Sequence, residues 1–206
     1  RPDITDWSQL QGKRIGGGAP GALLHELARL VLETKGVDFS TVEYVNVGGS
    51  PDVYRAITAD KIDGGVSGLE FSPEAEQTGE AHSLGDLNEI LPNYLRFCEA
   101  ASVRTLRDKP EVYTAFFYGQ MQGHRYALTH TQETLDLATK ITNRDSSELA
   151  WAVDYYNNRG VANPNGEVSP EKIDYMIDIA VRFGSMKEKI PASRVLDDTI
   201  QKRVVE

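Results

Sequence analysis

The sequence predicts an α/β fold in which helices flank a sheet of mainly parallel strands. In the first third of the chain, two short apolar strands are each followed by a glycine-containing turn and a helix. A third short strand comes directly after the second helix. Because parallel strands must be joined by a crossover, usually a helix, this alternation favours a parallel sheet. After Pro110 the pattern becomes helical throughout, so we expect a mainly helical C-terminal region.

The first unit begins with a short capped turn at residues 6–12 and a strand over Arg14–Gly17. Glycines and a proline then form a turn, and a helix runs from Ala22 to a stop at Gly36. The apolar residues of this helix recur at helical spacing and predict one buried face: Leu23, Leu24, Leu27, Leu30 and Val31. The unpaired N–H groups and the dipole of such a helix start favour an anion or a polar oxygen. A glycine turn with no ligand role is the alternative.

The second unit runs from a strand at residues 42–47, through a helix at about 51–60, to a third strand at residues 62–66. The alternating, partly β-branched sequence VEYVNV predicts the first of these strands. Ser50 directly before Pro51 is typical of an N-cap followed by proline at the first helical position. We therefore expect the Ser50 hydroxyl to cap this helix, with contact to a ligand as the alternative.

The middle of the chain carries weaker signals. They predict a short helix at residues 73–78, a short strand at 82–84 and a partly strand-like stretch at 93–103. Helical patterns follow at residues 111–130, 131–141, 146–158, 170–183 and 197–204. The first of these helices should present one apolar side, made of Val112, Tyr113, Phe116, Phe117 and Met121.

Composition and motifs restrict the class of function. Acidic residues exceed basic ones by 31 to 22, which gives a net charge of −9, and no dense basic cluster is present. We therefore expect neither nucleic acid nor an anionic membrane surface as a partner. A single cysteine, Cys98, excludes an intrachain disulfide, and four separated histidines do not form a metal set: His25, His82, His124 and His130. Hydrolase, Walker and H-E-x-x-H motifs are also missing, so we expect no metal, no cofactor and no catalysis.

Three motifs occur in an order that resembles a known family: Gly12-Lys13-Arg14-Ile15-Gly16, Gly48-Gly49-Ser50 and Lys61-Ile62-Asp63. The segment that contains them resembles the second lobe of periplasmic solute-binding proteins of ABC importers, in the nitrate, sulfonate, taurine and thiamine-precursor group. The segments RDKPEVYTAFFYGQMQGHRYALTH and GEVSPEKIDYMIDIAVRFGSMKEKIPASRVLDD are similar to that group's C-terminal helical region. The resemblance implies a type II, periplasmic-binding-protein-like fold. Residues 1–95 would form the second-lobe α/β ligand-binding domain, and residues 96–206 a return strand and helical region of the first lobe.

The resemblance also implies a function. The chain would capture a small polar or anionic organic molecule, enclose it by closure of two lobes, and present it to an ABC permease in the membrane. It would be periplasmic, or lipid-anchored outside the cytoplasm, with its signal peptide removed. Two alternatives stay open: an enzyme of the same fold, either a pyrimidine-precursor synthase or an aromatic-acid decarboxylase-like protein, and a periplasmic ligand-sensing domain. Such synthases rely on a cysteine-rich motif and an active histidine, which we do not find beside Cys98.

Two departures from the family pattern matter. Most of the first lobe normally precedes this region and is absent from the sequence, so we expect self-association through residues 110–206 or a longer parent chain. The helix after the glycine turn usually starts with Ser or Thr in the family, whereas this chain has Ala22. Only backbone amides then remain in the expected anion cradle, which weighs against sulfonate or nitrate as the ligand.

In open parallel sheets, ligands bind beyond the carboxyl ends of the strands. We therefore expect the ligand to contact residues of the loops that follow the three strands: Gly18, Ala19, Gly21, Ala22, Ser50, Ser67, Leu69 and Glu70. Ser67 either contacts the ligand or bonds a local backbone group. Glu70 either selects an amine or another donor on the ligand or lies in solvent. Because no Arg or Lys lies between Gly16 and Glu26, backbone N–H groups should be the main anchor.

Overall fold

The computed structural model describes residues 1–159, 161 and 163–205. The chain divides into two compact units. The first unit comprises Arg1–Pro92 together with Ser147–Ala152, and the second comprises Asn93–Ser146 together with the residues from Val153 onward. Within the described residues, no helix combines the length and the apolar character that a membrane crossing requires.

The first unit is built on a three-stranded parallel sheet, which confirms the predicted fold class. Its strands are β1 (Arg14–Gly17), β2 (Glu43–Asn46) and β3 (Gly64–Gly65), and they lie in the order β2-β1-β3. β1 pairs in parallel with both neighbours, with Gly17 opposite Asn46 and Gly16 opposite Gly65. The strands therefore end together at one edge, which we call the carboxyl edge, and begin at the opposite amino edge.

Two helices cover the two faces of this sheet: α1 (Leu23–Thr34) and α2 (Ser50–Thr58). Side chains alternate along β2, so Tyr44 joins an apolar cluster with Ala28 of α1, whereas Val45 joins a cluster with Val53 of α2. Val53 is fully buried. Three of the five residues predicted for the buried face of α1 are buried, Leu27, Leu30 and Val31, and Leu24 is half-buried. The prediction is wrong for Leu23, which lies in the first turn of the helix and is 41% exposed.

Short elements complete the first unit. They are the 3₁₀ turns Trp7–Leu10, Phe39–Thr41 and Leu69–Phe71 and the helices α3 (Ser72–Thr78) and α4 (Leu87–Ile90). The strand predicted at residues 82–84 is wrong, since these residues form no regular structure. Leu84 packs against the apolar cluster under α1, while His82 and Ser83 are exposed. A short stretch in which apolar and polar residues alternate can pack one side chain against the core without being a strand. It becomes a strand only where a neighbouring strand offers backbone hydrogen bonds.

The second unit is mainly helical, as the sequence predicts. Its helices are α5 (Val103–Asp108), α6 (Pro110–Thr129), α7 (Thr131–Thr142), α8 (Ser146–Asn158, of which residues 147–152 belong to the first unit), α9 (Pro170–Arg182) and α10 (Thr199–Val205). A 3₁₀ turn at Ala192–Arg194 follows α9. α6 packs against α10, and Asn165 links the two, accepting from Arg125 Nη2 (2.8 Å) and from Gln201 Nε2 (3.0 Å).

The return strand predicted within residues 93–103 is wrong. Residues 93–102 form no regular structure, and Phe97 is 76% exposed. The Ser102 hydroxyl accepts from the Thr105 N–H (3.2 Å) and caps α5, so a helix begins where a strand was expected to end. Strand-like residue types remain irregular here because a strand needs an edge to pair with, and a sequence pattern does not supply one.

The apolar side predicted for α6 is divided between two environments. Met121 is buried at 3% exposure, whereas Val112 and Phe116 are 61% and 59% exposed. Successive helical residues are about 100° apart, so Tyr113, Phe117 and Met121 follow one row at every fourth position and Phe116 lies on the neighbouring row. Only the first row is packed, and the prediction of a single apolar side is therefore wrong.

Candidate functional site

The glycine turn, residues 18–21, joins β1 to α1 at the carboxyl edge of the sheet. The Ala22 N–H closes it by donating to the Ala19 carbonyl (2.9 Å). Gly21 has φ +82°, in the left-handed region that an L side chain rarely adopts. The turn is otherwise held by side chains, because the Gly18 carbonyl accepts from the Tyr44 hydroxyl (2.7 Å) and the Gly21 N–H donates to His25 Nδ1 (3.2 Å).

The N-terminus of α1 is open. Its first hydrogen bond runs from the Glu26 N–H to the Ala22 carbonyl (3.0 Å), so the N–H groups of residues 23–25 lie beyond the helical ladder. Ala22 has the extended backbone of an N-cap residue, but its methyl group makes no cap hydrogen bond. The positive end of the helix dipole and these N–H groups are therefore left for a polar oxygen or an anion.

The N-terminus of α2 is closed, which corrects the prediction for Ser50. Gly49 is the N-cap and Ser50 is the first helical residue. Asp52 takes the capping role, since its Oδ2 accepts from the Gly49 N–H (3.0 Å) while its own N–H donates to the Gly49 carbonyl (2.9 Å). The Asp52 carboxylate also offsets the positive end of the helix, and Pro51 has no N–H to offer. α2 is therefore a poorer anion site than α1.

Ser50 and Ser67 meet at this edge. Ser67 Oγ donates to the Ser50 carbonyl (2.9 Å), and the two hydroxyl oxygens are 3.4 Å apart. A serine hydroxyl has one proton, so Ser67 is left to act only as an acceptor toward any other group. Ser67 thus makes the local backbone bond that was one of its two expected roles. Ser50 Oγ is then the donor in the long 3.4 Å contact to Ser67 Oγ, a weak bond that an acceptor on a ligand can replace.

Leu69 and Glu70 belong to the 3₁₀ turn that follows Ser67, with Gly68 as its N-cap. Both side chains are half-buried. The Glu70 carboxylate lies against Gly68 of its own loop, where an added Cβ would overlap it. Glu70 therefore folds back onto its own loop and is partly exposed.

Six of the eight predicted residues, together with Gly48 and Gly49, form a row along the carboxyl edge, while Leu69 and Glu70 lie in the 3₁₀ turn that follows Ser67. A Cβ built on Gly18 would lie 3.5 Å from the Ala22 Cβ and 3.7 Å from the Gly48 carbonyl oxygen. From Gly48 the chain continues to Ser50, which meets Ser67. The row therefore runs from the open end of α1 to the paired serines, and it presents backbone amides and hydroxyls. Its members are Gly18, Ala19, Gly21, Ala22, Gly48, Gly49, Ser50 and Ser67.

Sequence reasoning missed two side chains that shape this row, His25 and Tyr44. Their rings meet at right angles with centroids 4.5 Å apart, and burial raises the pKa of the Tyr44 hydroxyl, which therefore stays a donor. The available signal for His25 was its position four residues after Gly21, one helical turn along, from which a side chain can reach back to the turn. Tyr44 had no such local signal, because its partner Gly18 lies 26 residues away.

The amino edge of the sheet is ionic. The Arg14 side chain donates to Asp63 through Nε (3.0 Å) and Nη2 (2.9 Å), and the Arg14 backbone N–H adds a third bond (2.9 Å). The side-chain hydrogen bonds from Arg14, together with its charge, lower the pKa of the Asp63 carboxyl to about 2, although burial acts in the opposite direction. Arg1 also contacts Asp60 (2.7 Å) and Asp63 (3.3 Å).

An open depression of about 640 Å³ borders the ionic edge, lined by Arg1, Pro2, Asp3, Ile57, Thr58, Asp60 and Glu80. It lies away from the strand ends, and the carboxylates of Asp3 and Asp60 within it are paired with Arg1. We therefore take the carboxyl edge as the candidate site. Across the described residues, no three His, Cys, Asp or Glu side chains converge as a metal site would require.

Comparison with known proteins agrees with this architecture. A protein-family model described as NMT1/THI5 like matches residues 1–134, more than half of the chain. Among solved structures, the chain is similar to the periplasmic aliphatic sulphonate binding protein SsuA from Escherichia coli, with a TM-score of 0.72 and 14% sequence identity. The match covers 95% of this chain and 62% of that chain, so the chain spans less than two thirds of that protein. At this identity the likeness shows a shared fold.

No curated protein sequence matches the chain at a significant level. The family model and the solved structure nevertheless agree with each other and with the parallel sheet described above. On the strength of the match over residues 1–134, the chain belongs to the NMT1/THI5-like family.

Proposed function

We propose that the chain is the ligand-binding part of an extracytoplasmic solute-binding protein, which captures a small polar or anionic organic molecule for an ABC permease. The row of amides and hydroxyls at the carboxyl edge is the observation that carries the proposal. Family membership and the fold shared with a sulphonate-binding protein support it. In this proposal residues 1–95 are the second lobe of such a protein, and residues 96–206 belong to its first lobe.

Each end of the row contacts a different part of the ligand in this proposal. The open N-terminus of α1 takes a negatively charged or strongly polar oxygen, because the N–H groups of residues 23–25 and the helix dipole converge there. Ser50 donates its hydroxyl proton to a second acceptor on the ligand. With neutral donors only, affinity should depend weakly on ionic strength, in contrast to a site built on Arg or Lys.

The arrangement of the row favours binding over catalysis. A nucleophilic serine needs a base within hydrogen-bond reach, and here the Ser67 proton goes to a carbonyl while Ser50 Oγ has Ser67 Oγ as its neighbour. The Nδ1 atom of His25 is occupied by the Gly21 N–H. Because the family also contains synthases, the test must also establish whether the bound compound is recovered chemically unchanged.

The test uses thermal shift and calorimetry on the chain with four compounds: ethanesulfonate, taurine, nitrate and 4-amino-5-hydroxymethyl-2-methylpyrimidine. We expect at least one of them to stabilise the chain at both 50 and 500 mM KCl with similar affinity, and to be recovered unchanged by mass spectrometry. Stabilisation followed by turnover would identify an enzyme instead. A chain that none of the four compounds stabilises would overturn the proposal for these ligand classes.

A matched pair of variants locates the ligand on the row. Ser50→Ala removes the hydroxyl that we propose turns from Ser67 Oγ to the ligand, and we expect about fivefold weaker binding, the usual net worth of one hydrogen bond. Ser67→Ala removes an acceptor and a structural bond, and we expect a smaller effect on affinity. If Ser67→Ala were the more damaging of the two, Ser67 would be the contact and the order of the two serines would be reversed.

A further inference from the structure

We propose that His25 and Tyr44 are positioning residues of this site, which hold the two ends of the glycine turn so that the amides of α1 face the ligand. This inference rests on the proposed function, because the residues are proposed to position the amides that bind the ligand. Tyr44 holds the first end, because its hydroxyl donates to the Gly18 carbonyl (2.7 Å). His25 holds the second end, because its Nδ1 accepts from the Gly21 N–H (3.2 Å).

The two side chains also support each other. The His25 ring meets the Tyr44 ring at 90° with a centroid distance of 4.5 Å, and it meets the Phe39 ring at 87° and 5.5 Å. Edge-to-face contacts of this kind fix the orientation of each ring. Tyr44 and Phe39 pack in turn against the apolar cluster between α1 and β1, so the turn is tied to the core of the first unit.

The sequence accommodates this arrangement at Gly17. A Cβ added there would overlap the Tyr44 hydroxyl, so the last residue of β1 is a glycine and the phenol ring passes over it to reach Gly18. Gly17 thus serves the close approach of a side chain, whereas Gly21 serves the left-handed backbone of the turn.

The bond at Gly21 also assigns a role to one nitrogen of the His25 ring. An N–H donor that faces Nδ1 requires this nitrogen to act as the acceptor, so the bond is made by the Nδ1 lone pair. A side chain without an acceptor at this place would release the Gly21 N–H. The turn would then lose the hydrogen bond that holds its second end next to the N–H groups of α1.

Two variants at His25 separate its hydrogen bond from its packing. His25→Asn keeps an acceptor, Oδ1, at about the place of Nδ1, whereas His25→Phe keeps an aromatic ring and has no acceptor. Amide hydrogen exchange of Gly21, measured by ¹⁵N NMR, reports the bond directly. We expect exchange to accelerate at least about tenfold in His25→Phe and to change little in His25→Asn, with ethanesulfonate affinity about fivefold weaker only in His25→Phe.

Tyr44→Phe tests the other end of the turn. It keeps the ring against His25 and removes only the donor to the Gly18 carbonyl, so we expect about fivefold weaker ethanesulfonate binding with an unchanged unfolding temperature. Equal Gly21 exchange in His25→Phe and His25→Asn would overturn the proposal, since packing alone would then explain His25. If ethanesulfonate binds none of the proteins, the proposed function loses that ligand class, while Gly21 exchange still decides how the turn is held.

Discussion

At the amino edge of the sheet, the polar groups of Arg14 and Asp63 satisfy each other, whereas at the carboxyl edge the first N–H groups of α1 lie outside any helical hydrogen bond. The amino edge joins β1 to the start of β3 through the nearly buried Asp63 carboxylate and the partly exposed Arg14 side chain. The carboxyl edge carries neutral donors on glycine-rich backbone. This difference is the reason that we assign stabilisation of the sheet to the amino edge and propose ligand binding at the carboxyl edge.

The same contrast recurs within the carboxyl edge. α2 is capped by its own Asp52, and α1 starts from Ala22 without a side-chain cap. Replacing a capping residue with alanine costs a helix about 1 kcal/mol, so the open start of α1 is a local loss of stability. A site that binds a ligand through these N–H groups regains that free energy only when the ligand is present.

The largest effect should come from Arg14→Ala at the amino edge. It leaves the Asp63 carboxylate, whose side chain is 10% exposed, without its bidentate partner. Because the Arg14 side chain is itself 35% exposed and Arg1 still lies 3.3 Å from Asp63, the loss in the free energy of unfolding should be about 2–3 kcal/mol, below that of a fully buried pair. The matched control is Arg55→Ala, which breaks an exposed pair with Asp52 and should cost less than about 0.5 kcal/mol.

Urea unfolding followed by tryptophan fluorescence measures both variants. The two tryptophans are Trp7, which lies in the main part of the first unit, and Trp151, on the part of α8 that belongs to that unit. Equal losses in the two variants would show that the amino edge contributes no more than a surface ion pair.

The second largest effect concerns pH. The Asp63 pKa is about 2 in the folded protein against 3.8 for an unperturbed Asp. The folded state therefore favours the deprotonated carboxylate more than the unfolded state does. The stabilisation, about 2 kcal/mol, is therefore complete above pH 4 and is lost as the pH falls from 4 to 2. Asp63→Asn should lack this part of the pH dependence. Unfolding curves at pH 7, 4, 3 and 2.5 decide the matter, and parallel profiles for the two proteins would contradict the assignment.

The third effect lies at the carboxyl edge. Gly21→Val places a β-branched residue at φ +82° and should weaken ligand binding more than tenfold while the fold persists. Gly36→Val is the matched control, because Gly36 has φ +78° at the other end of α1 and, like Gly21, open space around its Cα. Calorimetry with a compound that binds the parent chain should show the loss only for Gly21→Val. Unchanged affinity in a folded Gly21→Val protein would make the turn a structural element only.

The smallest effect sharpens the contrast between the two helix starts. Ala22→Ser supplies the missing cap and should raise the free energy of unfolding by about 0.5–1 kcal/mol without ligand. The thermal shift caused by an anionic ligand should then shrink, because the new hydroxyl already satisfies one N–H group. No gain in stability would indicate that the start of α1 is not open in the free protein.

The sequence by itself determined those features that are encoded by local periodicity. Most of the buried face of α1, the order of strands and helices from β1 to α3 and the helices from α6 to α9 follow from apolar spacing and from Gly and Pro positions. The parallel sheet followed as well, since two successive strand–helix–strand units leave few other ways to bury their apolar faces. The loops that follow the three strands meet at the carboxyl edge of this sheet, and Ser50 therefore lies next to Ser67.

Only the tertiary structure decided which polar groups pair. Asp63 meets Arg14 across 49 residues and Tyr44 meets Gly18 across 26, and neither spacing carries a periodic signal. Residues 93–102 form no strand, because strand pairing depends on an edge provided elsewhere in the fold. Even the N-cap of α2 lies at Gly49 and not at the predicted Ser50, and Asp52 accepts from the Gly49 N–H. The local sequence pattern determines whether a segment becomes a helix or a strand. A hydrogen bond between distant residues depends instead on three-dimensional distance and direction, which the local pattern does not determine.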